Sequence, residues 1–191
     1  MSEQKSIMIV GVGGQGTLLA SRILGNLLME SGIDVKVSEV HGMSQRGGSV
    51  VTYVKYGDSV ASPVIEAGEA DVILAFELLE AARWLPYLKK GGKLIASSQK
   101  ISPMPVITGA AKYPENLEEK IAATGCDATI LDALSLAEQA GSPKAANVVL
   151  LGVLSKQLNF SQEMWLTVLE KTVPPKFLEL NKKAFALGRT L

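Results

Sequence analysis

The first residues with the types and spacing for chemistry form a glycine-rich loop, Gly11-Val12-Gly13-Gly14-Gln15-Gly16. The loop follows an apolar run and precedes a helical pattern, which is the context in which G-x-G-x-x-G is informative. Glycines let the backbone turn sharply, and the free amides at a helix N-terminus attract an anion. Two interpretations follow: a cofactor-binding loop that holds a phosphate group, or a tight turn without a ligand.

A second unusual segment connects the next two predicted strands. Residues 39–49 are longer than an ordinary hairpin turn and place Met43, Ser44, Gln45 and Arg46 among glycines. These side chains offer charge, hydrogen bonds and a soft apolar contact, and glycines let another backbone or a phosphate approach closely. The segment is either a mobile hairpin tip or a recognition loop. The recognition loop would lie beside the first one, since both follow the carboxyl ends of strands that we expect to be adjacent.

The residues predicted for these two sites fall into two sets. The cofactor-binding set is Gly11, Gly13, Gly14, Gln15 and Gly16, with Arg46 adding a positive charge. The set that contacts a partner or closes an active site is His41, Gly42, Ser44, Gln45, Arg46, Gly47 and Gly48. We predict no catalytic residue and no metal ligand.

A nicotinamide dinucleotide site is the first alternative. It requires an acidic residue roughly 20 positions after the glycine loop, and Glu39 lies near that distance. It also requires parallel strands, which need a crossover of roughly a dozen residues or more. The short connection through residues 41–49 instead predicts an antiparallel hairpin, so the dinucleotide half-site is incomplete.

The patterns of the whole chain predict one α/β domain spanning residues 1–191. We expect a Rossmann-like, mostly parallel sheet with one antiparallel hairpin and helices on both faces. Apolar β-rich runs predict strands at residues 6–10, 34–40, 50–56, 70–76, 93–97 and, more briefly, 105–108. Helical spacing predicts helices at residues 15–30, 115–123, 131–140, 145–158, 161–171 and 175–186, and a further one that ends at residue 88.

Several isolated residues have ordinary structural explanations. His41 is more typical of a strand-end residue bonded to backbone than of a base, and Cys126 has no second thiol nearby in the sequence to activate it. Glu77 and Glu80 follow a strand, where they favour a helix N-terminus rather than forming an acid pair. Asn147 opens an apolar helix and either bonds a neighbouring loop or acts near a cap.

Composition excludes several classes of function. Lys+Arg and Asp+Glu both number 19, so no net charge attracts nucleic acid or an anionic membrane. A single cysteine excludes an internal disulfide and a four-thiolate metal or iron–sulfur site. The longest apolar run, residues 148–154, is too short to span a bilayer, and no signal-peptide pattern is present. We expect a cytoplasmic location.

The ordered pair of loops resembles the gamma-type domain of 2-oxoacid:ferredoxin oxidoreductases. The similarity is carried by residues 11–16 and by Glu39-Val40-His41-Gly42-Met43-Ser44-Gln45-Arg46-Gly47-Gly48. Residues 145–152, which read Ala-Ala-Asn-Val-Val-Leu-Leu-Gly, resemble the indolepyruvate branch of that family. The likeness extends over residues 7–187, nearly the whole chain.

This resemblance implies a function and a set of partners. The chain would be an accessory subunit, inactive alone, of an enzyme that oxidatively decarboxylates a 2-oxoacid, most simply indolepyruvate or another arylpyruvate, to an acyl-CoA. Thiamine diphosphate and iron–sulfur clusters would lie on a large partner subunit, and electrons would pass to ferredoxin. Coenzyme A is a possible co-substrate at the glycine loop. A coenzyme A or nucleotide-binding protein of another pathway is the second alternative.

Overall fold

A single mixed sheet organises the chain. The computed structural model describes residues 4–41 and 47–191, with His41 described by its backbone alone. The strands are β1 Lys5–Val12, β2 Asp34–His41, β3 Ser49–Gly57, β4 Ala70–Ala75, β5 Leu88–Ser97 and β6 Asp127–Leu131. Their order across the sheet is β2-β3-β1-β4-β5-β6. The predicted fold class is confirmed.

The predicted antiparallel hairpin is confirmed by the pairing of β2 with β3. Their register runs from Asp34 opposite Gly57 to His41 opposite Val50. Strand β3 also pairs antiparallel with β1, placing Val12 opposite Ser49. The expectation that β1 and β2 are adjacent is therefore wrong, because β3 inserts between them. Both strands still end at the same edge of the sheet, since each runs antiparallel to β3.

The other half of the sheet is parallel. Strand β4 pairs with β1 on one side and with β5 on the other, and β6 extends the sheet beyond β5. The carboxyl ends of these four strands, the end of β2 and the start of β3 lie along one edge. We call it the carboxyl edge.

Helices cover both faces of the sheet. They are α1 Thr17–Glu30, α2 Leu78–Trp84, α3 Met104–Ile107, α4 Leu117–Ala123, α5 Ala133–Ala140, α6 Ala146–Leu154, α7 Gln162–Thr172 and α8 Leu178–Arg189. Side chains alternate along β1, so Ile7 and Ile9 pack with α1 and α5–α8, and Met8 and Val10 pack with α2 and α4. No helix in the described ranges is long and apolar enough to cross a membrane.

Two predicted elements are wrong in type or at one end, and one strand was not predicted. The short strand at residues 105–108 is instead helix α3, since Pro105 lies in its first turn, where a missing amide is tolerated. Strand β6 was not predicted, because this edge strand pairs on one side only and includes the exposed Ala128. The helix expected to reach Leu88 ends at Trp84, and a 3-10 turn leads from it into β5.

Candidate functional site

The glycine loop turns the chain from β1 into α1 at the carboxyl edge. Gly16 caps α1 with φ of 83°, a left-handed conformation that glycine adopts without a steric penalty. The amide of Gly13 donates to the carbonyl of Gly48 (2.9 Å), so the two predicted loops are in contact. Gln15 donates its amide to the carbonyl of Val12 (3.2 Å). Within the described residues, no hydrogen bond uses the amides of Gly14 and Gly16.

The Gln15 side chain holds the loop against three strands. Its Oε1 accepts from the Val12 amide (2.8 Å), and its Nε2 donates to the Phe76 carbonyl (2.8 Å) and to Oε1 of Gln99 (2.9 Å). Phe76 follows β4 and Gln99 follows β5, so one amide links the ends of β1, β4 and β5. The Gln15 side chain therefore positions the loop through contacts within this chain.

Asn147 holds the loop from the other side. It is 4% exposed at the start of α6, and its Nδ2 donates to the carbonyl of Gly16 (3.2 Å). A Cβ atom at position 16 would lie 2.4 Å from Nδ2 of Asn147, so no other residue fits there without displacing the amide. Of the two interpretations given for Asn147, the bond to a neighbouring loop is confirmed.

These contacts leave an open cleft of about 520 Å³ above the loop. Its polar lining includes Gln15, Gln99, Lys144 and Asn147, and its apolar wall includes Leu19, Phe76, Leu134 and Leu150. The position agrees with a general feature of open α/β sheets, whose ligands bind at the carboxyl ends of the strands. Lys144 and Gln99 were not predicted as site residues, because neither belongs to a sequence motif.

The second predicted loop is described only at its two ends. Gly42, Ser44, Gln45 and Arg46 lie outside the described residues, as does the side chain of His41. The carbonyl of Gly48 accepts the bond from the Gly13 amide. Ser49, the first residue of β3, donates its hydroxyl to Oε2 of Glu80 (2.5 Å). Gly48, just before β3, therefore lies beside the glycine loop.

Glu80 and Glu77 are both buried, and their oxygens serve as structural acceptors. Glu80 also accepts from the indole of Trp84 (3.2 Å) and the guanidinium of Arg83 (3.0 Å). Glu77 caps α2 by accepting from the Glu80 amide (2.8 Å), as expected for a carboxylate at a helix N-terminus. Its other oxygen accepts from the hydroxyl of Tyr113 (2.6 Å). Burial, together with this bond to the Glu77 carboxylate, raises the pKa of Tyr113.

The described side chains do not form a site for a redox metal. Within residues 4–41 and 47–191, no group of three or more His, Cys, Asp or Glu side chains could hold a metal ion. Cys126 is a partly buried free thiol at the start of β6, at the edge opposite the cleft. The cleft instead offers amides, carboxamides and one ammonium group, which is a set suited to binding an anion.

Sequence comparison identifies the family. A family model described as pyruvate ferredoxin/flavodoxin oxidoreductase matches residues 6–191. The chain belongs to this family. The indolepyruvate oxidoreductase subunit IorB of Thermococcus kodakarensis is 44% identical, and the alignment covers 97% of this chain and 95% of that protein. The protein of the same name from Pyrococcus horikoshii is 45% identical over the same shares of both chains.

Two solved structures share the fold of this chain. A keto/oxoacid ferredoxin oxidoreductase gamma subunit from Geobacter sulfurreducens aligns with a TM-score of 0.71 at 26% identity, covering 96% of this chain and 95% of that one. The 2-oxoglutarate:ferredoxin oxidoreductase of Magnetococcus marinus, solved with coenzyme A bound, shares the fold with a TM-score of 0.75 at 19% identity. All of this chain aligns there with 31% of a longer polypeptide.

Membership of this family confirms the resemblance read from the two loops. The chain is an accessory subunit of a 2-oxoacid:ferredoxin oxidoreductase, as predicted. The nicotinamide alternative loses its structural basis, because β2 and β3 pair antiparallel where a dinucleotide fold requires parallel strands.

Proposed function

We propose that this chain is the small subunit of an indolepyruvate or other arylpyruvate:ferredoxin oxidoreductase of the cytoplasm, with residues 1–191 acting as one domain. The observation that carries the proposal is the 44–45% identity, over 97% of the chain, to two archaeal indolepyruvate oxidoreductase subunits. The enzyme would convert the oxoacid and coenzyme A to an acyl-CoA and carbon dioxide. The two electrons released would pass to ferredoxin.

The redox and decarboxylation chemistry belongs, in this proposal, to a large partner subunit. Thiamine diphosphate would supply the carbanion chemistry, and iron–sulfur clusters would carry the electrons. The residues of this chain support that division, because a single cysteine cannot ligate a cluster. The sequence also contains no Gly-Asp-Gly with which a magnesium–diphosphate site would begin, since Gly57-Asp58 is followed by Ser59.

The contribution of this chain would be an anion site for coenzyme A at the carboxyl edge. The amides of Gly14 and Gly16, which form no hydrogen bond with the residues that the structure describes, adjoin the cleft. Lys144 offers a positive charge there, and Arg46 would add a second. A phosphate or pyrophosphate of coenzyme A is the group that such donors recognise. Gln15 and Asn147 would keep the amides in position.

Reconstitution tests the assignment. The purified chain should not reduce ferredoxin with indolepyruvate, and activity should appear on mixing with the large subunit. Phenylpyruvate, pyruvate and 2-oxoglutarate, assayed in parallel, define the preferred 2-oxoacid. Turnover by the isolated chain would rule out an accessory role, and preference for a non-aromatic oxoacid would rule out the arylpyruvate assignment.

The assembly or active-site role of the second loop, residues 39–49, is tested by the double variant Gln45→Ala with Arg46→Ala. Truncating an interfacial arginine costs about 2 kcal/mol or more, on the order of thirtyfold in affinity. We expect a folded subunit that fails to restore activity. A matched control is Lys156→Ala with Gln157→Ala, an exposed cationic and amide pair on a 3-10 turn. Full activity of the complex with the Gln45 and Arg46 variant would remove the role given to this loop.

The anion site is tested by calorimetry with coenzyme A on the assembled enzyme. Arg46→Ala and Lys144→Ala should each weaken binding by about tenfold, since each removes a charged partner of a phosphate. Lys90→Ala is the control, because Lys90 is exposed near the start of β5, at the opposite edge of the sheet. Equal affinity in all four proteins would refute the site.

A further inference from the structure

The segment between β5 and α4 is fastened at both ends to one buried oxygen atom. Oε1 of Glu77 accepts from the amide of Ile101 (3.0 Å) and from the hydroxyl of Tyr113 (2.6 Å). Glu77 itself is 1% exposed and is fixed by its capping bond to α2. We call the segment between these anchors, residues 101–113, the 101–113 loop. It projects from the carboxyl edge, because it follows β5.

The tip of the 101–113 loop has a defined structure of its own. Helix α3 forms there, the Thr108 hydroxyl donates to the Met104 carbonyl (3.0 Å), and the Ala111 amide donates to the Pro105 carbonyl (2.9 Å). These bonds within the tip and the two anchors at its base give the loop a fixed shape before any partner binds. Preformed loops lose little conformational entropy on binding.

This fixed tip presents apolar side chains to solvent. Met104 and Ile107 are 60% and 65% exposed, and they lie one helical turn apart on α3. Residues three apart share one helix face, so the two side chains form a small apolar knob. Neither side chain belongs to the hydrophobic core on either face of the sheet, and neither packs against one of these cores. These two side chains of α3 therefore bury little against the described part of the chain.

The charged residues from position 100 to position 114 have one sign. Lys100 precedes the loop and Lys112 lies within it; both are exposed, and no acidic residue occurs from position 100 to position 114. An apolar knob on a loop with two lysines and no carboxylate complements an apolar cleft surrounded by carboxylates.

We propose that the 101–113 loop docks into an acidic-rimmed apolar cleft of the large subunit. This inference rests on the proposed function. The Magnetococcus relative carries this fold within a polypeptide about three times as long, where the rest of the chain is joined covalently. A separate subunit must instead bind its partner through its surface, and the 101–113 loop is a preformed apolar projection at the edge that carries the candidate site.

Affinity measurements with the purified large subunit test the proposal. Met104→Ser combined with Ile107→Ser should weaken binding by about thirtyfold or more, as expected for the loss of two apolar anchors. Tyr113→Phe removes one anchor of the loop and should weaken binding several-fold. Met29→Ser is the matched control: Met29 is 58% exposed, but it lies near the end of α1, away from the carboxyl edge. It should bind within twofold of wild type.

Activity measured at a saturating concentration of this subunit distinguishes a loss of affinity from a loss of catalysis. The serine double variant should restore full kcat once enough of it is added, since the loop contributes affinity and no reacting group. If the wild-type chain itself does not bind the large subunit, the proposed function fails. If wild type and the double variant bind equally, the proposed function stands and the docking role is overturned. If the double variant only abolishes self-association of the isolated chain, seen by sedimentation velocity, the knob binds a second copy and the proposal is wrong.

Discussion

The Gln15 carboxamide offers a sharp test of how the glycine loop is held. The substitution Gln15→Glu keeps the size of the side chain and the acceptor for the Val12 amide, but it replaces the Nε2 donor with a carboxylate oxygen. That oxygen would face the carbonyl of Phe76 and Oε1 of Gln99, at 2.8 and 2.9 Å in the native chain. Two hydrogen bonds would be replaced by two repulsive contacts.

The magnitude follows from these contacts. A hydrogen bond contributes about 0.5–1.5 kcal/mol, and a desolvated acceptor left without its donor costs about 1–3 kcal/mol. Gln99 can rotate its amide to donate to the new carboxylate, whereas the Phe76 carbonyl cannot. We therefore expect Gln15→Glu to lower the free energy of unfolding by about 2–3 kcal/mol.

Urea denaturation followed by circular dichroism measures this loss. The matched control is Gln157→Glu, the same change at an exposed position, which should leave the unfolding midpoint nearly unchanged. Coincident midpoints for Gln15→Glu and wild type would refute the reasoning. The Gln15 bonds would then contribute nothing to stability, and the side chain would be free to contact a ligand.

Three further predictions concern packing and ionisation. A Cβ at position 188 would lie 2.0 Å from the carbonyl oxygen of Val149. Gly188→Ala should therefore force α6 and α8 apart and lower the free energy of unfolding, measured by urea denaturation, by about 3 kcal/mol. Gly25→Ala, within α1 and with 3.7 Å of clearance, should instead stabilise the chain by about 0.5–1 kcal/mol. Burial, with a smaller contribution from the Asp71 carboxylate, raises the pKa of Tyr56 to about 12. Its contribution to stability is therefore fully present below pH 10 and falls as pH rises towards 12, so urea midpoints of Tyr56→Phe should show a weaker alkaline decline than those of wild type.

The sequence alone determined the elements on which the family assignment depends. The apolar runs around Ile7 and Val72 identify strands buried on both faces, and the glycines after the first run identify a turn into a helix. The connection through residues 41–49 is too short for a crossover, and chain geometry therefore requires β2 and β3 to be antiparallel. These inferences are local, because each depends on residues that are neighbours in the chain.

Tertiary structure decided what surrounds the glycine loop. Asn147 bonds Gly16 across 131 positions and Gln15 bonds Gln99 across 84, and no local pattern predicts pairs so far apart. The insertion of β3 between β1 and β2, and the addition of β6 beside β5, depend on pairing energies between distant segments. Lys144 enters the cleft only because α6 packs beside α1. The sequence could predict the loop, but the cleft exists only once the sheet and helices bring these residues together.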